Sequence, residues 1–328
     1  MKFSSIWFHN FFKQLNMNSE HPRNTKSPFF SFIIPVFNKV NFVENFMNCL
    51  LNQSFQNFEI IIIDDLSIDG SFEKLIQYKK VDQRITIIRN CVNRGLAVTR
   101  SHGVLESHGD YIFSYDPDDE ITLNAAELVR KELIHYHYPD ILEFRCVKFF
   151  FNGKIEYNAH PCYRSFHNNL FLTEAFRKKQ IFYTIWKRVI KRSIYLKAVS
   201  LIIPLTKEKR MNYAEDKVHT VCNYILSQQM ICSPISIYKY YFYSNNSQSN
   251  LYQSFSQNML QERLSQHISD FVLQHKQYLF QIENLLQTFL NSSQEYYINY
   301  LNVTNVTNSK RYFICQSPRD DLGYCIFR

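Results

Sequence analysis

Four short apolar runs, separated by stretches of helical periodicity, constrain this chain more than any other feature. Phe29 to Val36 is a continuous apolar run with Ser31 inside it, and residues 58–63 read Phe-Glu-Ile-Ile-Ile-Ile. Ile85–Ile88 is a third run and residues 110–115 a fourth. Between them, Phe42, Val43, Phe46 and Leu50 recur at helical spacing, and residues 71–80 and 95–107 predict two more helices. A run that is apolar at every position suits a strand covered on both faces. Strand and helix in alternation predict βαβ units and a parallel sheet. Functional residues in such sheets lie beyond the carboxyl ends of the strands. Those ends are Pro35–Asn38, Asp64-Asp65 and Asp116–Asp119, and all three carry polar or conformationally special residues.

The third of these ends is the most charged. Asp116, Asp118 and Asp119 fall within four positions, with Pro117 fixing the backbone between the first two. Clustered acids repel one another unless a cation or several donors sit among them. Oxygen-only ligands suit Mg²⁺ or Mn²⁺, which also bind phosphates. Asp116 and Asp118 are therefore candidate metal ligands, whereas Asp119 is expected to cap a helix at 122–134. In Asp64-Asp65-Leu66-Ser67-Ile68-Asp69-Gly70-Ser71, Ser67 and Asp69 can cap the helix that follows. Asp64 and Asp65 cannot both do so, which leaves one for a ligand. Arg94 and Arg100 bring cations near the acids, and an Arg early in a helix can contact a diphosphate. Glu215-Asp216 opens a helix at 217–226, where acids also favour the helix dipole.

Glycine is scarce, with six in 328 residues, and Gly70, Gly95, Gly103 and Gly109 all fall in the same stretch as the acids. Each is expected to meet a backbone requirement. The net charge of +8 favours phosphates or anionic lipid surfaces. No RRM, zinc-finger or helix-turn-helix signature accompanies it, which argues against nucleic acid. Eight cysteines contain no Cys-x-x-Cys pair and several sit in apolar runs, so they read as reduced, buried thiols of a cytosolic protein. No apolar stretch approaches the ~20 residues needed to span a bilayer.

Residues 1–26 form an aromatic N-terminal arm ending in a polar linker. Residues 27–250 carry the strand–helix pattern, with strands expected at Ile141–Phe144 and Val147–Phe151. Residues 251–328 are expected to be a helical region, with an apolar stripe from Leu251 to Phe289, and a tail without a clear element. Sequons at Asn245, Asn291, Asn302 and Asn305 are expected to be accidental in so Asn-rich a chain.

Taken in order, Phe-Ile-Ile-Pro-Val-Phe-Asn (32–38), Leu-Leu-Asn-Gln-Ser-Phe (50–55), the segment 59–71, Asn-x-Gly-Leu-x-x-x-Arg (93–100), Gly-Asp-Tyr-Ile (109–112) and Asp-Pro-Asp-Asp (116–119) resemble a family 2 glycosyltransferase. The resemblance is strong over residues 29–120. Trp186 to Arg192, Glu215-Asp216 and Tyr240–Ser247 extend it more weakly. It implies an α/β GT-A fold, Rossmann-like, with a mostly parallel central sheet flanked by helices and here a helical C-terminal extension. It implies inverting transfer of a sugar from a nucleotide-diphosphate donor, with uridine as the favoured base, to a hydroxyl of a glycan or lipid-linked acceptor. Pro35, Val36, Phe37, Asn38 and Asp65, with Asp64 beside it, would line the nucleobase pocket. Arg100 and Asp116 would lie near the donor. Asp118, with Asp116, would hold Mn²⁺ or Mg²⁺, and Asp216 would be the base, with Glu215 the second choice.

Three positions depart from the family pattern: Leu66 for Gly, Pro117 for Ser and Phe37 for Tyr. A cytoplasmic enzyme of cell-surface glycan synthesis, at the inner face of a membrane and peripherally associated with it, fits the resemblance and the charge. The competing readings are a scaffold protein that keeps the sheet without turnover, and a nucleotidyltransferase. The latter would normally show a Gly-rich phosphate loop near the first strand, and residues 35–41 have no Gly.

Overall fold

Each of the four apolar runs forms a strand, and each intervening segment a helix. A computed structural model describes residues 27–150, 152–159, 183–206, 215–242, 318–319 and 324–327. The first half runs β1 (Phe30–Val36), α1 (Val43–Leu51), β2 (Phe58–Asp64), α2 (Ser71–Val81), β3 (Ile85–Asn90), α3 (Leu96–Leu105) and β4 (Tyr111–Ser114). Then follow β5 (Glu120–Ile121), α4 (Ala125–His135), β6 (Ile141–Phe150), β7 (Ile155–Ala159), β8 (Arg188–Lys191), α5 (Arg192–Thr206), α6 (Glu215–Leu226), β9 (Met230–Phe242), β10 (Pro318–Arg319) and β11 (Tyr324–Phe327).

The sheet order is β10-β11-β3-β2-β1-β4-β8-β6-β9-β5, with β7 paired to β6. The central strands β3, β2, β1 and β4 are mutually parallel, with Phe30 opposite Phe58 on one side and Tyr111 on the other. Beyond β4 the sheet turns antiparallel at β8. Strand order reverses at β1, whose neighbours are β2 and β4. In open α/β sheets the crevice at such a reversal, outside the carboxyl ends, is where ligands bind.

Alternate residues of β1 explain why it is apolar throughout. Phe30, Phe32, Ile34 and Val36 pack with Phe46, Leu50, Leu75 and Val129 on one face. Ile33 points the other way, into a cluster with Ile61, Ile63, Ala97, Val104, Val199 and Val221. Helices α1, α2 and α4 thus cover one face, and α3, α5 and α6 the other. Gly103 lets α3 lie close to the sheet. A Cβ there would sit 2.5 Å from Ile63 Cδ1 and 2.6 Å from Ile33 Cγ2. The requirement at this glycine is for space, not for an unusual φ.

Four expectations need correction or limits. Residues 141–150 form one strand, its register shifting around Arg145 against β9, where two strands were expected. The tail is not featureless, because β11 pairs antiparallel with β3 at the edge of the central sheet, Tyr324 opposite Asn90. The cysteines are not all reduced. Cys232 and Cys325 each take part in a disulfide, while Cys49, Cys91, Cys146 and Cys222 are thiols. The N-terminal arm, the stripe at 251–290 and the four sequons lie outside the described residues. Among the described residues, no helix is long and apolar enough to cross a membrane.

Candidate active site

The crevice beyond β1 and β4 is built from three loops and one helix start. After β1, Pro35 and Val36 remain buried in the strand, whereas Phe37 is 41% exposed at the mouth. Asn38 follows in the left-handed region, φ 52°. Its N–H donates to Ser67 Oγ at 2.9 Å, and its Oδ1 accepts from Ile68 N–H at 3.0 Å. Lys39 N–H donates to Ser71 Oγ (2.8 Å), and Val40 N–H to Asp69 Oδ2 (3.0 Å). Three consecutive amides thus pin the first loop to the segment after β2. Asp69 also accepts from Ser71 N–H at 2.9 Å, so it serves the start of α2, whereas Ser67 reaches across to Asn38. Leu66 adopts φ 63°, the left-handed conformation that favours glycine.

Neither adjacent acid after β2 is left without partners. Asp64 is fully buried, accepts from Ser67 N–H and pairs with Arg89 Nε at 3.2 Å. Burial pushes it up to about 6, despite the hydrogen bonds and the Arg89 cation. Asp65 accepts from Arg94 N–H (2.7 Å), Gly95 N–H (2.9 Å) and Asn90 Nδ2 (2.8 Å), and so fixes the loop into α3. Asn90 Oδ1 in turn meets His102 Nδ1 at 2.9 Å, and burial depresses His102 to about 3. A neutral His102 with its proton on Nδ1 donates to Asn90, which orients the amide toward Asp65. Arg94 contributes its backbone here. Of the two arginines expected near the acids, Arg100 is the one whose side chain pairs with them.

Arg100 is the centre of the site. Its guanidinium is completely buried, brought beneath the crevice by the close approach of α3 to the sheet. Nη2 donates to Asp116 Oδ1 at 3.0 Å and lies 3.7 Å from Asp216 Oδ1 and 3.9 Å from Glu215 Oε1. Burial alone would favour the neutral form, but Asp116 and Asp216 hold the guanidinium firmly charged. Glu215 is 9% exposed at its side chain and Asp216 26%. Burial first, then the charge of Asp216, pushes Glu215 well above the carboxylate range. Burial raises Asp216 to about 6 against the pull of Arg100, with Asp116 adding to the rise. The two acids are thereby separated: Glu215 is held neutral, and Asp216 is more open and ionises near neutral pH. Among the described residues, Asp216 Oδ1 has no hydrogen-bond partner.

The acids after β4 divide three ways. Asp116 faces Arg100. Asp118 Oδ2 meets Lys39 Nζ at 2.7 Å. Asp119 does not cap a helix, contrary to expectation; α4 begins after Asn124, with no side-chain cap. Instead Asp119 is buried and accepts from Tyr238 hydroxyl (2.8 Å) and Tyr241 N–H (3.1 Å) on β9. The Tyr238 hydroxyl also accepts from Asp116 N–H at 3.3 Å. Tyr238 thus ties both ends of the acidic turn to the far side of the sheet. Sequence reasoning missed Lys39, Asn90, His102 and Tyr238. Tyr238 had a weak signal in the aromatic run Tyr238-Lys-Tyr-Tyr-Phe242, a composition that favours strand.

Among the described residues, no three acid, histidine or cysteine side chains converge to hold a metal alone. Asp118 and Asp116, each about a quarter exposed, nevertheless suit a cation that takes one or two carboxylates and fills its shell with phosphate and water. The Lys39 ammonium already stands where such a cation would neutralise Asp118.

A sheet reversing at β1, an acidic turn beyond β4 and a second acidic pair joined to it by one arginine define a GT-A fold. Residues 31–196 match the model of Glycosyl transferase family 2, and the chain belongs to that family of enzymes. Among curated relatives, it is 25% identical over 309 residues to a cholesterol galactosyltransferase of Borreliella burgdorferi, covering 91% of this chain and 80% of that one. It is 26% identical to the glycosyltransferase GlyA of Streptococcus pneumoniae, over 63% of this chain and 30% of that one. It is 37% identical over 93 residues to the putative teichuronic acid biosynthesis glycosyltransferase TuaG of Bacillus subtilis. The match spans 30% and 37% of the length of the latter two. The crystal structure of S. aureus TarS residues 1–349 in complex with UDP-GlcNAc superposes with a TM-score of 0.59 at 17% identity, covering 80% of this chain and 74% of that one.

Proposed function

We propose that this chain transfers a sugar, with inversion, from a nucleotide-diphosphate donor to a hydroxyl of a glycan or lipid-linked acceptor. The observation that carries the reading is the single guanidinium of Arg100, which joins Asp116 to Asp216 and Glu215. An acid suited to the donor and an acid suited to the acceptor meet at one buried cation.

The base pocket is read as the space bounded by Phe37, Asn38 and the Asp64–Asp65 turn. Support for a uridine nucleotide comes from TarS, a structural neighbour solved with UDP-GlcNAc and with UDP. Asp118, with Asp116, would hold Mn²⁺ or Mg²⁺, which when bound neutralises charge developing on the leaving diphosphate. Asp216 would take the proton of the acceptor hydroxyl, since an acid ionising near neutral pH suits a general base. Glu215, held protonated, would keep the negative charge on Asp216. Arg100 would orient Asp216 and Asp116 and keep both ionised. A relative named for teichuronic acid biosynthesis and another named as a poly(ribitol-phosphate) beta-glucosyltransferase support a role in cell-surface glycans. The +8 charge supports a place at an anionic membrane surface, on its cytoplasmic side.

The test is a thermal-shift screen of nucleotide diphosphates and nucleotide sugars with Mn²⁺. Ligand binding raises the melting point according to RT ln(1 + [L]/Kd). A uridine nucleotide is expected to give the largest rise and its sugar conjugate to be hydrolysed slowly. A protein that binds these ligands but hydrolyses none, with any acceptor, would be a scaffold.

A further inference from the structure

We infer that Lys39 is an exchangeable counter-ion of the acidic turn: it neutralises Asp118 while the donor site is empty, and passes to the donor diphosphate when a divalent cation takes the carboxylate. The inference rests on the donor and metal reading above.

The geometry is specific. Lys39 belongs to the loop after β1, Asp118 to the turn after β4, and the two strands flank the reversal of sheet order. Their side chains meet at 2.7 Å while each remains about a quarter exposed, so the pair lies in the open crevice and not in the core. The loop is rigid where the lysine leaves it. Asn38, Lys39 and Val40 each donate a backbone hydrogen bond to the segment after β2. The flexible side chain alone can therefore relocate; its ammonium lies over the Phe42 ring, 5.3 Å from the centroid, at the edge of the same loop. The other cation of the site, Arg100, is fully buried and shared among three acids, so it cannot move in the same way.

The exchange follows from charge. An ammonium on Asp118 competes with a divalent ion for the same oxygens, which weakens metal binding before donor arrives. A diphosphate bridged to the metal brings negative charge within reach of the displaced ammonium, and a charge-assisted hydrogen bond forms there. Metal and donor then bind better together than separately.

Lys39→Met removes the charge and keeps the stem; Lys39→Arg keeps the charge. Mn²⁺ affinity is measured by electron paramagnetic resonance without nucleotide, and UDP affinity by calorimetry at saturating Mn²⁺. Lys39→Met is expected to bind Mn²⁺ about 3- to 10-fold more tightly, as a partly exposed ion pair ceases to compete. It should bind UDP about 10-fold more weakly. Lys39→Arg should stay near wild type in Mn²⁺ affinity. Unchanged or weaker Mn²⁺ binding in Lys39→Met, with a metal-binding wild type, overturns the exchange but leaves the proposed transfer standing. A wild type that binds neither Mn²⁺ nor any nucleotide diphosphate overturns both.

Discussion

Arg100 Nη2 and Asp216 Oδ1 lie 3.7 Å apart, although α3 and α6 that carry them are separated by half the sheet in sequence. The contact gives one cation to two acid groups that would otherwise repel. Removing it leaves buried carboxylates uncompensated, which typically costs about 3–5 kcal/mol. Arg100→Met should therefore unfold at much lower denaturant concentration, whereas Asp216→Asn should keep or raise the melting point. The latter should lose about 10²- to 10⁴-fold in kcat, the usual contribution of a general base. Chemical denaturation and donor-turnover assays on both variants separate the structural from the catalytic role.

Asp64 and Asp216 predict opposite pH trends for stability and activity. Both have folded pKa values of about 6, above the ordinary 3.8. A carboxyl whose pKa rises on folding opposes folding when ionised. That penalty is absent below about 4 and complete above about 6. The melting point should thus rise as pH falls from 7.5 to 5.5, while kcat/KM falls as Asp216 takes up its proton. A melting point that drops over the same interval would contradict the burial of these two acids.

Gly103 is a packing requirement. Gly103→Ala places a methyl against Ile63 Cδ1 and Ile33 Cγ2, and overpacking of this kind costs about 1–3 kcal/mol. Ile63→Val removes the nearer atom and should recover part of the loss. A double-mutant cycle by urea denaturation measures that coupling.

Burial pushes the Asp119 carboxyl well above the usual carboxylate range, so Tyr238→Phe should destabilise by about 0.5–1.5 kcal/mol, the value of an ordinary hydrogen bond, as Asp119 loses its hydroxyl partner. Asp116 N–H loses an acceptor at the same time. The acidic turn should loosen, so KM for the donor is expected to rise more than kcat falls. Steady-state kinetics beside a melting curve distinguishes this from a purely structural loss.

The parallel half of the sheet was legible because its signals are local. Apolar runs, helical periodicity and turn residues in 29–120 are each set by neighbours in the chain. Arg100 and Asp216 were legible as residue types in position, but their contact was not, since it depends on how closely α3 packs, and so on the missing Cβ of Gly103. Asp119 was misread for a similar reason. An acid before a helix is normally a cap, and only the pairing of β9 with β5 brings Tyr238 and Tyr241 to it. Asp65 read as a free acid because its donors are mostly backbone amides, which every sequence contains. The insertion of β8 between β4 and β6 and the return of β11 to β3 depend on partners far away in the chain, to which periodicity is blind.

The return of β11 also bears on how the chain matures. Cys91 and Cys325, neighbours at 4.0 Å, are 234 positions apart. Until residues 324–327 arrive, β3 has a row of unsatisfied amides and carbonyls along its outer side, a template for pairing with another molecule. On a ribosome adding about 5–20 residues per second, that interval lasts roughly 10–50 s. Translation speed and chaperone supply should consequently govern the yield of native protein. A tag or truncation that disturbs the last strand should send the product into inclusion bodies, even with every residue of the crevice intact.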